Sequence, residues 1–200
     1  MQHRKLVVIV GPTAVGKTDV AISVAKHFGT QIISADSRQI FRELSVGTAK
    51  PTALQLSMVP HHFIGSHSIN ETYDAAQFGL DALSLINSLF EKDDVVVLCG
   101  GSGLYVKAVC EGFDDIPEIP AKVRETLIKD YEQYGIERLQ EHMRELDPVH
   151  YAKIDRQNPH RLIRALEVVV GTGKSISTFQ GKKTLEHTFS IVKIGLELPR

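Results

Sequence analysis

The chain has 200 residues, 42% of them hydrophobic and 24% charged, with a formal net charge of -1. This is enough for one cored domain and a small insertion, and too neutral for whole-protein charge to draw in a nucleic acid, so such binding would need a local basic face. No apolar stretch reaches the roughly 18 residues of a spanning helix, residues 1–4 are too short and polar for a signal peptide, and Cys99 and Cys110 read as reduced thiols of a cytoplasmic protein rather than a disulfide framework or a metal site.

Residues 5–10 are a continuous apolar run ending in a glycine-rich turn, the pattern of a buried parallel strand. Residues 18–28 have helical periodicity, and Gly29 suits the C-terminal cap. Residues 31–35 read as a second short strand, followed by the polar cluster Asp36-Ser37-Arg38-Gln39. A less regular stretch then carries Gly47, Pro51, Pro60 and the pair His61-His62, which reads as structural because no partner has metal-binding spacing. A long amphipathic helix is expected over 74–91 and a third buried strand over 94–99. The loop Gly100-Gly101-Ser102-Gly103 closes that strand, and a helix runs over 105–110.

The composition shifts at residues 111–120, with two prolines and four acidic residues. Residues 121–146 are charge-rich and helical with a break near Gly135. A short helix follows over 148–154, then a basic-to-apolar helix over 159–170, and a last strand over 189–198. Strands alternating with helices imply an α/β fold: a P-loop parallel sheet with helices on both faces and a small helical insertion. The expected boundaries are 1–113 and 156–200 for the core and 114–155 for the insertion. The chain stops on a strand and Pro199-Arg200, so the expectation is a core incomplete at its C-terminus.

The chemistry starts at Gly11-Pro12-Thr13-Ala14-Val15-Gly16-Lys17-Thr18, which fits G-x-x-x-x-G-K-[ST] between a strand and a helix. Its backbone N–H groups and the helix N-terminus suit a phosphate or diphosphate. Lys17 adds a full charge, and Thr18 offers a hydroxyl to Mg²⁺. The segment Gly171-Thr172-Gly173-Lys174-Ser175 imitates the end of this motif but lacks the upstream glycine, since Val168 stands there. A P-loop kinase would be expected to end a later strand on a Mg²⁺-linked aspartate. The strand over 94–99 ends instead in Cys99-Gly100-Gly101, which weakens a phosphoryl-transfer reading.

Asp36 follows the carboxyl end of the second strand, the edge where open parallel sheets bind ligands. It reads as a general base or a metal ligand, against the plainer alternative of a turn aspartate. Ser102 and its glycine neighbours could line the same crevice. Arg161 and Arg164, three apart on one helix face, could clamp a second anion, or could simply be solvated.

In this order the blocks 11–18, 34–39, 47–51 (Gly-Thr-Ala-Lys-Pro), 100–105 and 161–168 resemble the bacterial tRNA dimethylallyltransferase (tRNA isopentenyltransferase) family, from Leu6 to Pro199. The resemblance implies transfer of a dimethylallyl group from its diphosphate to the exocyclic amine of the adenosine 3′ of the anticodon, in tRNAs reading codons that start with U. It implies Asp36 as general base, with Thr13 and Ser102 in the catalytic group, Ser102 standing where the family usually has threonine. Residues Gly11 to Thr18 would hold the diphosphate with Mg²⁺ at Thr18. Asp36, Ser37, Arg38, Gln39, Ser102, Arg124 and the run His160, Arg161, Leu162, Ile163, Arg164 would contact tRNA. The expected state is a cytoplasmic monomer with no membrane partner. A small-molecule P-loop kinase and a non-catalytic tRNA-binding module are the competing readings, together with a variant acting on free AMP, against which the helical insertion argues.

Overall fold

The computed structural model describes residues 4–181 and 185–197. Five parallel strands form one sheet: β1 (Lys5–Val10), β2 (Ile32–Ser34), β3 (His61–His62), β4 (Val95–Gly100) and β5 (Ser190–Gly195), in the order β3-β2-β4-β1-β5. In β1, Val7 stands opposite Val97 of β4 on one side and Val192 of β5 on the other. A parallel sheet needs crossovers, and these are helices α1 (Lys17–Phe28), α2 (Ala53–Met58), α3 (Ala75–Leu89) and α4 (Gly103–Cys110).

Successive side chains of β1 divide between the two faces as the two-residue period requires. Leu6 and Val8 pack with Phe78, Ala82 and Ile86 of α3 and Val109 of α4. Val7 and Ile9 pack with Ala21, Ile22 and Ala25 of α1. Both faces are therefore covered, which is why β1 and β4 read as unbroken apolar runs. The helices start and stop on local signals. Asp74 caps α3 by accepting from the Ala76 and Gln77 amides, and Gly29 ends α1 in the left-handed conformation.

The expected strands and long helices are present. The irregular stretch holds two elements that periodicity did not reveal. Helix α2 carries a full capping box between Thr52 and Gln55. Strand β3 is only two residues long, paired with Ile32 and Ile33. The residue ending the expected last strand, Leu198, and the closing Pro199-Arg200 lie outside the described residues.

The sheet unit runs to Phe113 and takes up the chain again after residue 183; from Asp114 the chain forms a helical unit. That unit contains α5 (Ala121–Tyr134), α6 (Ile136–Leu146), α7 (Pro148–Tyr151) and α8 (Pro159–Thr172). Its core joins Leu127 of α5, Leu139 and Met143 of α6, and Leu162 and Leu166 of α8. The boundary expected at 155 is thus corrected. Helix α8 buries its apolar stripe against α5 and α6, and the insertion extends past it. Asn158 caps α8 by accepting from the Arg161 amide at 3.2 Å, with Pro159 at the first helical position. Among the described residues no helix is long and apolar enough to cross a membrane.

Candidate functional site

The loop after β1 shares a cavity with Ser34 at the end of β2 and with Cys99 and Gly100 at the end of β4. Ala14 and Gly16 lie in the left-handed region, at φ 65° and 92°, the alternation that forms anion-binding concavities from successive N–H groups. Gly11 is required by contact as well as by its φ of 155°: a Cβ there would stand 2.5 Å from the Leu196 carbonyl oxygen. That segment is pinned by the Leu196 amide donating to Val10 at 2.8 Å. Lys17 is folded back on the loop, its Nζ donating to the Pro12 carbonyl.

Beside this loop is a cavity of about 320 Å³, within the range of small-ligand clefts. Thr13, Lys17, Thr18, Asp36, Thr48 and His61 are among its walls. Asp36 is a turn aspartate in the wall of the cavity. Its Oδ1 accepts from the Arg38 amide at 2.9 Å and the Gln39 amide at 3.2 Å, closing a tight turn. Its Oδ2 accepts no hydrogen bond among the described residues. One oxygen thus fixes the carboxylate, and the other keeps its lone pairs.

Other expected contacts are distributed differently. Ser102 Oγ accepts from the Ser37 amide at 2.8 Å and donates to Ser37 Oγ at 3.1 Å. It ties the β4–α4 loop to the turn after β2, and neither it nor Ser37 nor the exposed Arg38 lines the cavity. Gln39 commits both amide hydrogens, to the Thr48 carbonyl at 3.1 Å and the Ala49 carbonyl at 3.0 Å, while its Oε1 accepts from Ser34 at 3.3 Å. Its side chain anchors the 47–51 loop and stands in the wall of the cavity.

In the helical unit, His160, Arg161, Arg164 and Arg124 are exposed. Leu162 and Ile163 are 0% and 4% exposed in its core, which corrects their expected place in a tRNA surface: they are the buried stripe of the helix whose other face carries the arginines. The false motif at 171–175 is the end of α8, capped by Gly173.

Several wall residues were given no chemical role in the sequence, Thr48, Lys50 and His61 among them. Thr48 and Lys50 come from the 47–51 block, and Lys50 Nζ is bound to the Phe41 carbonyl at 2.6 Å. His61 shares Nδ1 with the Val59 carbonyl at 2.8 Å, which fixes the proton there in the neutral ring. Its buried Nε2 has no partner among the described residues. Burial holds the ring's pKa below the ordinary histidine value. Cys99 is also in the wall, its thiol pushed up to about 11 by burial, with the Lys17 charge opposing.

Among the described residues no group of three or more His, Cys, Asp or Glu could hold a metal ion alone. The hydroxyl of Thr18 in this cavity fits Mg²⁺ of the kind carried in by phosphates, which keeps one or two protein ligands.

Residues 39–200 match the family model described as IPP transferase. The chain is 47% identical over 198 residues to the tRNA dimethylallyltransferase of Cytophaga hutchinsonii, covering 99% of this chain and 65% of that protein. It is 44% identical to tRNA dimethylallyltransferase 1 of Phocaeicola vulgatus, covering 98% and 65%. It therefore spans about two thirds of the length of these relatives. Among solved structures it resembles the full-length tRNA isopentenylpyrophosphate transferase of Bacillus halodurans, with 37% identity and a TM-score of 0.58 over 96% of this chain and 59% of that one. A eukaryotic dimethylallyltransferase acting on tRNA shares the fold, with a TM-score of 0.75 at 24% identity over 96% of this chain and 48% of that one.

Proposed function

The chain belongs to the IPP transferase family, and we propose that it carries the reaction centre of a cytoplasmic, monomeric tRNA dimethylallyltransferase. The reaction moves the dimethylallyl group of dimethylallyl diphosphate to N6 of the adenosine next to the anticodon on its 3′ side, in tRNAs reading codons that begin with U. The observation that carries this reading is Asp36: one oxygen is pinned by two backbone amides and the other is unbonded, in the wall of the cavity shared with Lys17 and Thr18.

The adenine amine is a poor nucleophile because its lone pair is delocalised into the ring. As N6 forms its bond to C1 of the dimethylallyl group, the C1–O bond breaks and diphosphate leaves with the electron pair. The proton lost from N6 goes to Asp36 Oδ2. A positioned base of this kind contributes roughly 10²–10⁴-fold. Lys17 turns from the Pro12 carbonyl toward the departing oxygens, and the loop N–H groups and Thr13 hold them, stabilising charge as it develops. Thr18 would hold Mg²⁺, which supplies further neutralisation of the diphosphate. Ser102 acts through Ser37, keeping the Asp36 turn in place. The target base must leave its loop stack to reach such a cavity, as other base-modifying enzymes require. The arginine-bearing face of the helical unit would grip the RNA backbone.

The test incubates the intact protein with tRNA, Mg²⁺ and dimethylallyl diphosphate and weighs the digested nucleosides. The expected product is one adenosine heavier by a dimethylallyl group. Absence of that mass, or ATP turnover with phosphate appearing on a small acceptor, would sink the reading.

A further inference from the structure

We infer that Glu167 is a positioning residue for RNA, whose carboxylate gathers Arg124 and Arg164 into a preset phosphate-binding pair. The inference rests on the reading of this protein as a tRNA-modifying enzyme. Glu167 lies on α8, and its side chain is 10% exposed. Its Oε2 accepts from Arg124 Nη1 of α5 at 3.2 Å and from Arg164 Nη1, three residues back on its own helix, at 3.1 Å. The two arginine side chains are 47% and 46% exposed. A buried anion thus holds the inner edge of each guanidinium while the rest stays in water.

Two guanidiniums without that carboxylate would repel and separate, each sampling many rotamers. A shared acceptor oxygen offsets the repulsion and orders both side chains before RNA arrives, so less freedom is lost on binding. Each arginine commits one Nη1–H and keeps its remaining donors, in the fork geometry that suits phosphate. The trio retains one net positive charge.

The competing explanation is a buried ion pair that only fastens α5 to α8. Those helices already meet through the core of Leu127, Leu162 and Leu166, so the fastening does not call for two arginines on one oxygen.

The sign of one measurement separates the alternatives. Glu167→Gln keeps the side-chain shape and an acceptor oxygen but removes a negative charge. If charge alone mattered, the variant would bind tRNA more tightly, because the basic face gains a charge. Positioning predicts the opposite: the Kd and KM for tRNA rise roughly 5- to 20-fold, the scale of one charge-assisted hydrogen bond. The KM for dimethylallyl diphosphate and kcat stay unchanged. Glu167→Asp, with its charge kept and its carboxylate drawn back by one methylene, weakens tRNA binding too. Combined with Arg124→Ala, Glu167→Gln costs less than the sum of the single effects.

Melting curves are recorded for each variant, and if Glu167→Gln does not fold, Glu167→Asp and Arg124→Lys answer the same question. Tighter or unchanged tRNA binding by folded variants overturns the inference, as does a fall in melting temperature with tRNA affinity intact. A parent protein that neither binds nor prenylates tRNA overturns the functional reading, and this inference with it.

Discussion

Two adjacent glycines at the end of β4 should respond oppositely to the same added methyl. At Gly100 a Cβ would stand 2.1 Å from the Ala35 carbonyl oxygen, 2.4 Å from its carbon and 2.8 Å from its Cα. Carbon atoms in contact keep about 3.5–4.0 Å between them, so the backbone of Ala35 must retreat by at least about 1 Å. That backbone cannot move freely. The Ala35 amide donates to the Cys99 carbonyl at 2.8 Å, and the Ala35 carbonyl accepts from the Ser102 amide at 3.2 Å. Overpacking of this severity costs about 3 kcal/mol or more. Because Asp36 is the next residue, a 1 Å displacement should also lower kcat by about 10²-fold. At Gly101 the nearest atoms to a Cβ are the Gly11 carbonyl oxygen at 3.6 Å and Lys17 Nζ at 3.9 Å. These are ordinary contacts, and Gly101→Ala should change stability by less than about 1 kcal/mol. Urea unfolding of both variants, followed by circular dichroism and paired with prenylation rates, makes the comparison. A Gly100→Ala protein as stable as Gly101→Ala would refute the claim that this close approach organises the site.

Asp36→Asn keeps an oxygen to accept the Arg38 and Gln39 amides but cannot take a proton. Its melting temperature should match the parent while kcat falls roughly 10²–10⁴-fold; an active Asp36→Asn enzyme would remove the general base. Asp36→Ala should lose the turn as well, at about 1 kcal/mol by analogy with a lost cap. Burial is the main reason that His61 and His62 hold pKa values below the ordinary histidine range. The unfolded chain therefore binds protons more readily, and stability should be full above about pH 6.5 and decline as pH falls below it. Replacing both rings by glutamine should flatten that decline in thermal melts. With its thiol near 11, Cys99 is about a thousandth thiolate at pH 8. Mass spectrometry after iodoacetamide should find it unmodified in the folded protein, and alkylation at the rate of a free cysteine would contradict its burial.

Local physical chemistry settled a large part of this molecule before any packing was known. The apolar run of β1, the glycines of the loop and the periodicity of α1 are neighbours in sequence and dictate one another's conformation, so strand, glycine-rich loop and helix were legible together. The same holds for the break at Gly135 and the polar exit that holds Asp36. Tertiary structure decided what depends on distant partners. His61-His62 became a strand only because Ile32 and Ile33 offered an edge. Helix α8 read as a basic-to-apolar helix, and nothing in its sequence said that α5 and α6 would cover its apolar residues. The burial of Leu162 and Ile163 followed from that choice, and so did the meeting of Arg124 and Arg164 at Glu167. Gln39 found the two carbonyls for its amide only because the 47–51 loop folds back over it. Periodicity and turn chemistry act over a few residues, so the sequence by itself determined the longer elements and the glycine-rich loop after β1. Which surfaces meet is set by burial across the whole chain, so the partners of Gln39, Glu167 and α8 were left to the tertiary structure.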